Sequence, residues 1–200
     1  MDAAAESDEE LIAKVQQGSE ESFRVLYDRY KQKIYNFSYH FFGNAALAED
    51  CTQETFIRIY QKSFRYKPTA KFSSWLFQMA KNIAIDTLRK NKLRRAESLE
   101  GSFEIGEGEK SSLENLLSDA SSGPGIEAQK EEIAELVRRG IAQLKESDRQ
   151  IVVFCDLQGM PHEEAAKILG YSTQTLTVKL YRARQRLAAI LKIEGLDEEL

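Results

Sequence analysis

Apolar residues recur along this chain with a helical period. Phe23, Leu26, Tyr30, Ile34, Phe37 and Phe41 lie three or four residues apart, so they form one buried stripe on a long helix. Ser19 can cap that helix after Gly18, and Gly43-Asn44 breaks it. Ahead of it, Ser7 with Glu10 makes a capping box for a helix over 8–17. Asn44 caps a third helix over about 45–63. The string Tyr66-Lys67-Pro68-Thr69 reads as a loop, because Pro68 lacks a donor and biases Lys67 away from helix. Ser73 or Ser74 then caps a fourth helix, with Trp75, Leu76, Met79, Ala80 and Ile83 facing inward.

A second helical block begins near 126 and runs to about 144. Ser147 caps a helix over 148–157, which Gly159 ends. Pro161 takes the first position of a short helix over 162–169, suited to its fixed φ and missing N–H. Gly170 ends that helix, and Ser172 caps a long one to about 192. Two helices joined by a short glycine-containing turn make a helix-turn-helix. The pattern predicts an all-α protein of two small helical domains, 1–95 and 126–200, the second carrying the helix-turn-helix.

Composition sets the boundary between them. Residues 96–125 hold seven Ser, five Gly and seven acids against one Lys, the balance of a flexible acidic linker. Within it, Leu113, Leu116 and Leu117 could form one weak helical turn. Hydrophobic residues are 42% and charged ones 30% of the chain, the profile of a soluble globular protein. The start, MDAAAESDEE, lacks a basic-then-apolar leader, and a cytoplasmic location is the default expectation. Cys51 and Cys155 form no CxxC pair, so neither a disulfide framework nor a zinc ribbon is expected.

The formal net charge of −4 hides two basic clusters. Residues 81–95 carry six bases and one acid, and residues 177–192 carry five bases and no acid. Local clustering sets the field that a phosphate backbone meets. The last helix opens with Ser172, Thr173, Gln174, Thr175 and Thr177, hydroxyls and an amide able to read base edges. Lys179, Arg182, Arg184 and Arg186 follow, suited to phosphates. Around the earlier loop, Phe64, Tyr66, Phe72 and Trp75 interleave with Arg65, Lys67 and Lys71, a mixture that suits unstacked bases, although a core with a basic rim reads the same way. On the fourth helix Lys81, Asn82, Asp86 and Arg89 share a face away from Trp75 and Met79.

Catalytic motifs do not fit. After His162-Glu163, the second His of a zinc-protease HExxH falls at Ala166, and His40 is the only other histidine. Gly101, Gly106 and Gly108 lie in acidic surroundings that repel phosphate. No metal site and no cofactor are expected. The third helix contains AEDCTQETF (48–56), where Asp50, Gln53 and Glu54 fall beside a core-facing Cys51, Thr55 and Phe56. Asp50 and Glu54 could hold a divalent ion, form a solvated face, or dock a protein. DNA would be repelled.

The chain resembles the extracytoplasmic-function (ECF) sigma factors, small two-domain members of the sigma-70 family. AEDCTQETFIRIY is similar to the family's polymerase-docking helix, FSSWLFQMAKNIAIDTLRK to its minus-ten helix, and EEAAKILGYSTQTLTVKLYRARQRL to its minus-thirty-five helix-turn-helix. The resemblance implies that Asp50, Gln53 and Glu54 bind core polymerase. It implies that Asn82, Asp86 and Arg89, with the loop of Phe64, Arg65, Tyr66, Lys67 and Lys71, meet the minus-ten element. Ser172, Thr173, Gln174, Thr175, Thr177, Lys179, Arg182 and Arg186 would read the minus-thirty-five element. The implied partners are core RNA polymerase, through its β′ clamp helices and β flap, and promoter DNA. An anti-sigma factor is a further partner common in the family, and no small-molecule substrate is implied. The chain departs from the family pattern at Gln174 (usually Gly), Thr177 (usually Lys) and Val178-Lys179 (usually Ser-Arg). The amide of Gln174 can pair bidentately with adenine.

Overall fold

The computed structural model describes residues 6–97 and 124–193, and among them every regular element is a helix. The edges of the linker expected at 96–125 are helical, 96–97 ending α4 and 124–125 opening α5, while residues 98–123, with the leucine turn, and the acidic tail beyond 193 lie outside the described residues. The first unit contains α1 (Asp8–Gln16), α2 (Glu20–Phe42), α3 (Ala45–Lys62) and α4 (Phe72–Glu97), with a 3-10 turn at Ser63–Arg65. The second contains α5 (Pro124–Gln143), α6 (Glu146–Val152), α7 (His162–Leu169) and α8 (Thr173–Ile193), with a π-helical turn at Val153–Leu157 continuing α6.

Local chemistry starts and stops these helices largely as the pattern predicts. The Ser7–Glu10 capping box is present at α1. The Ser19 and Asn44 side chains accept from Ser22 N–H and Leu47 N–H at the starts of α2 and α3. Gly43 closes α2 at φ 64°, and Gly170 makes the α7–α8 turn at φ 73°. A side chain at either position would meet the left-handed penalty.

Three starts differ from expectation. Helix α4 begins at Phe72, whose N–H donates to Glu9 Oε1 at 2.9 Å, so a carboxylate from α1 does the capping expected of Ser73 or Ser74. Helix α6 begins at Glu146 behind Lys145 with no side-chain cap, rather than behind Ser147. Pro161 stands one position earlier than expected, as the cap of α7 with extended ψ of 137°.

Most of the stripe on α2 is buried as predicted: Ile34, Phe37 and Phe41 are fully enclosed, and Leu26 and Tyr30 nearly so, whereas Phe23 is only partly buried. It packs on Cys51, Phe56 and Ile59 of α3 and on Phe72, Leu76 and Ala80 of α4. The second unit gathers Ile151, Val152, Phe154, Ile168, Leu176 and Leu180. Each fully buried side chain of this size stabilises by about 1.5–3 kcal/mol relative to exposure.

The two units lie against each other. Phe37 of α2 stacks on Phe154 with centroids 4.9 Å apart, and Phe77 of α4 meets the same ring edge-on at 6.0 Å. The π turn places Phe154 there. Polar ties surround the aromatic contact. Arg149 of α6 donates to the Phe41 carbonyl at 3.1 Å and to the Ile141 and Leu144 carbonyls at 3.2 Å, gathering the C-terminal ends of α2 and α5 on one guanidinium. Ser73 and Ser74 donate to Glu164 Oε1 of α7 at 2.7 and 3.0 Å, and Lys81 Nζ donates to the Ile168 carbonyl at 2.7 Å. Half-burial holds the Lys81 ammonium below its usual pKa.

Candidate docking and nucleic-acid interfaces

Helix α3 divides cleanly. Cys51, Thr52, Thr55, Phe56 and Ile59 are buried, and the Thr52 and Thr55 hydroxyls donate back to the Ala48 and Cys51 carbonyls at 2.7 Å. Asp50 and Gln53 are exposed on the opposite side, and Glu54 is partly exposed. Glu54 Oε1 accepts from Arg58 Nε at 2.6 Å, so the Glu54 charge is shared within the helix. The three residues expected to dock polymerase thus share one outward face.

That face continues beyond the three predicted residues. Ile57 and Tyr60 are each about half exposed, at 50% and 49%. Beside them Phe23 and Tyr27 of α2 pack edge-on against Tyr60 and Phe56. An acidic strip that runs into apolar side chains suits a protein partner better than a nucleic acid. The signal was present in the spacing: residues 50, 53, 57 and 60 recur at helical period.

The expected minus-ten residues separate into two environments. Asn82, Asp86 and Arg89 are exposed along one side of α4. In the preceding loop Phe64 is the most exposed aromatic there, at 69%, with the Arg65 guanidinium 5.5 Å from its ring. Lys67 and Lys71 are exposed. Tyr66 is different. It is buried among Phe72 and Trp75, and its hydroxyl donates to the Ala70 carbonyl at 2.7 Å, so it shapes the loop from inside. Gln16 of α1 holds the same loop by donating to the Ser63 and Tyr66 carbonyls at 2.8 and 3.0 Å.

In α8, Leu176, Leu180 and Ala183 face the core. Ser172, Thr173, Gln174, Thr175 and Thr177 are exposed at its N-terminal end. Ser172 Oγ accepts from Thr175 N–H at 3.2 Å, the expected cap. Lys179 sits 5.0 Å over the Tyr171 ring. The arginines are unequal. Arg184 forms a fork on Asp156, at 2.5 and 3.1 Å, and Arg186 pairs with buried Asp148 at 2.5 Å. Arg182 is exposed and has no carboxylate partner among the described residues. By sequence all three are expected to face phosphates. The carboxylates of α6 and its π turn, far off in sequence, compensate two of them.

Among the described residues no group of three or more His, Cys, Asp and Glu could hold a metal ion, and no helix is long and apolar enough to cross a membrane. Burial pushes the Cys155 thiol up to about 11 and also raises Cys51.

A helix-turn-helix with an exposed polar N-terminal ridge, packed on a four-helix unit with a basic-aromatic loop, defines a two-part helical transcription protein. The comparisons narrow the class. The model of sigma-70 region 2 matches residues 26–94, and that of sigma-70, region 4 matches residues 132–187. The ECF RNA polymerase sigma factor SigM of Bacillus subtilis is 31% identical over 176 residues, covering 87% of this chain and 97% of SigM. SigE of Mycolicibacterium smegmatis is 29% identical over 166 residues, covering 83% of this chain but only 60% of SigE. Among solved structures, CnrH in complex with the cytosolic domain of CnrY gives a TM-score of 0.69 at 22% identity, covering 95% of this chain and 100% of that one. RpoE of Bartonella quintana, solved with the anti-sigma factor NepR, gives 0.66 at 19% identity, covering 88% and 98%. These two structures agree in fold. The chain belongs to the ECF sigma factors of the sigma-70 family.

Proposed function

We propose that this protein is the promoter-recognising subunit of a bacterial RNA polymerase and itself makes and breaks no covalent bond. Residues 1–95 act as the unit that docks core polymerase and opens the minus-ten element. Residues 96–125 act as a tether, and residues 126–200 read the minus-thirty-five duplex. The exposed stripe of Asp50, Gln53 and Glu54, extended by Ile57 and Tyr60, docks the β′ clamp helices. The β flap takes the second unit. Phe64, Arg65, Lys67 and Lys71 receive unstacked bases, and Asn82, Asp86 and Arg89 line the helix beyond.

The observation that carries this reading is the acidic and apolar face of α3. A stand-alone helix-turn-helix regulator, the alternative, has no use for such a surface beside an aromatic-basic loop. Base unstacking costs a few kcal/mol per flipped base, and stacking on an aromatic ring returns about 1–3 kcal/mol. With Arg184 and Arg186 already paired, few charges remain for phosphates, so the free chain binds DNA weakly and with shallow salt dependence. Polymerase supplies the rest by holding both units on one template. The site of action is the cytoplasm, and an anti-sigma protein is a further partner. Run-off transcription with core polymerase and a promoter library tests the reading. Specific initiation that depends on the protein supports it, and unchanged initiation overturns it.

A further inference from the structure

The face of α8 opposite buried Leu176, Leu180 and Ala183 is formed by Gln174, Val178, Tyr181 and Gln185. At 100° per residue these four lie within one narrow outward ridge. The ridge carries no charge. Lys179 and Arg182 lie to one side of it, and Arg184, on the other side, is occupied by Asp156. At its centre is an apolar, β-branched residue: Val178 is 52% exposed and Tyr181, one turn on, 65% exposed. Valine at a water-facing helix position is helped neither by packing nor by helix propensity.

We propose that Val178 is a specificity-determining residue that reads a thymine through its 5-methyl group. The proposal rests on α8 being the helix that enters the major groove. A ridge that projects deepest into the groove meets base edges, while flanking cations meet phosphates. Val178 has no donor or acceptor in its side chain, so hydrogen-bond readout is closed to it. Of the four bases only thymine offers a methyl group in the major groove, and apolar contact is how proteins recognise it. Gln174 lies one helical turn before Val178. That offset of about 5–6 Å places their targets one or two base pairs apart, given 3.4 Å per step. An adenine met by the Gln174 amide and a thymine met by Val178 therefore belong to one short upstream sequence.

The test uses holoenzyme reconstituted from the full chain and core polymerase. Its template is a promoter selected by that holoenzyme from a library randomised in the upstream element. Each upstream thymine is replaced in turn by deoxyuridine, which removes only the methyl group, and initial run-off rates are measured at subsaturating holoenzyme. With the wild-type chain, one replacement lowers initiation by about four-fold, the worth of one buried methyl-sized group. Val178→Ala, which keeps only the Cβ, narrows that thymine–uracil difference and leaves the effects of other replacements unchanged. A wild-type protein indifferent to every replacement overturns the proposal, as does an alanine variant that keeps the same penalty. Arg182→Ala and Gln174→Ala separate the two levels of the argument. If both initiate as wild type on every template, α8 is not the recognition helix. If they lose initiation while no thymine shows methyl dependence, only the role of Val178 fails.

Discussion

Glu164 is where the two units of this protein are most open to a clean perturbation. Its side chain is 15% exposed, and its Oε1 accepts from both Ser73 and Ser74 across the contact between α7 and α4. Hydrogen bonds to a charged group contribute about 1.5–3 kcal/mol each when both partners are enclosed. Here the serine hydroxyls are only half-buried and regain water when the carboxylate is cut away. Lys71, 3.7 Å from Oε2 and 74% exposed, adds little. Truncation in Glu164→Ala should therefore weaken the closed arrangement by about 2 kcal/mol, a shift of roughly thirty-fold toward separated units. Glu164→Gln keeps an acceptor for the hydroxyls and loses only the charge, so it should sit between alanine and wild type. Spin labels at exposed Gln61 on α3 and Gln185 on α8 report the separation without touching the tie. The expected result is a narrow distance distribution in the wild type. In Glu164→Ala a second, longer population should appear with unchanged helical circular dichroism. An alanine variant whose distribution and unfolding midpoint both match wild type would refute the idea that this carboxylate holds the units together.

Other outcomes follow from single residues. His40 is buried on α2, and burial together with the Arg138 charge depresses its pKa to about 4 from 6.5. The unfolded chain then binds a proton that the folded chain refuses between those values. Stability should fall by about 3 kcal/mol as pH drops from 6.5 to 4, and His40→Leu should flatten that part of the pH profile in thermal melts relative to wild type. Asp50→Lys with Glu54→Lys should abolish core polymerase capture in a pull-down. It should cost only about 0.5–1 kcal/mol of stability, through the lost Glu54–Arg58 pair and the repulsion that a lysine at that position exerts on Arg58. Normal holoenzyme formation by this variant would remove α3 from the docking surface. Gln174→Ala should change preference at one base pair by about 1–3 kcal/mol, read by competition binding of holoenzyme. Equal loss on all sequences would point to a phosphate contact instead.

Much of this was visible in the residue pattern because the relevant contacts are local. The α2 stripe, the split of α3 into a core face and a polar face, the Asn44 and Ser172 caps and the Gly170 turn each depend on residues within a few positions of one another. What the pattern could not show is pairing over long separations. Phe37 and Phe154 each look like an ordinary core residue, and nothing in either neighbourhood says that they stack together. Ser73 and Ser74 carry a cap signature, yet their hydroxyls meet a glutamate about ninety residues on while Glu9 takes the capping role. Arg184 and Arg186 belong to a basic run by composition, and only the fold reveals that Asp156 and Asp148 have claimed them.

The π-helical turn at Val153–Leu157 has a consequence for changes in chain length. A π turn holds one residue more than the α-helical turn it replaces. Deleting a single residue there would leave an ordinary α-helical turn and keep the chain beyond it in nearly the same rotational phase. The residues within the turn would be re-aimed, Phe154 among them, while the path of the chain into α7 would be nearly kept. A substitution in this stretch alters one side chain, whereas a one-residue deletion removes the bulge that presents Phe154 to Phe37 and Phe77 and so loosens the seam between the units.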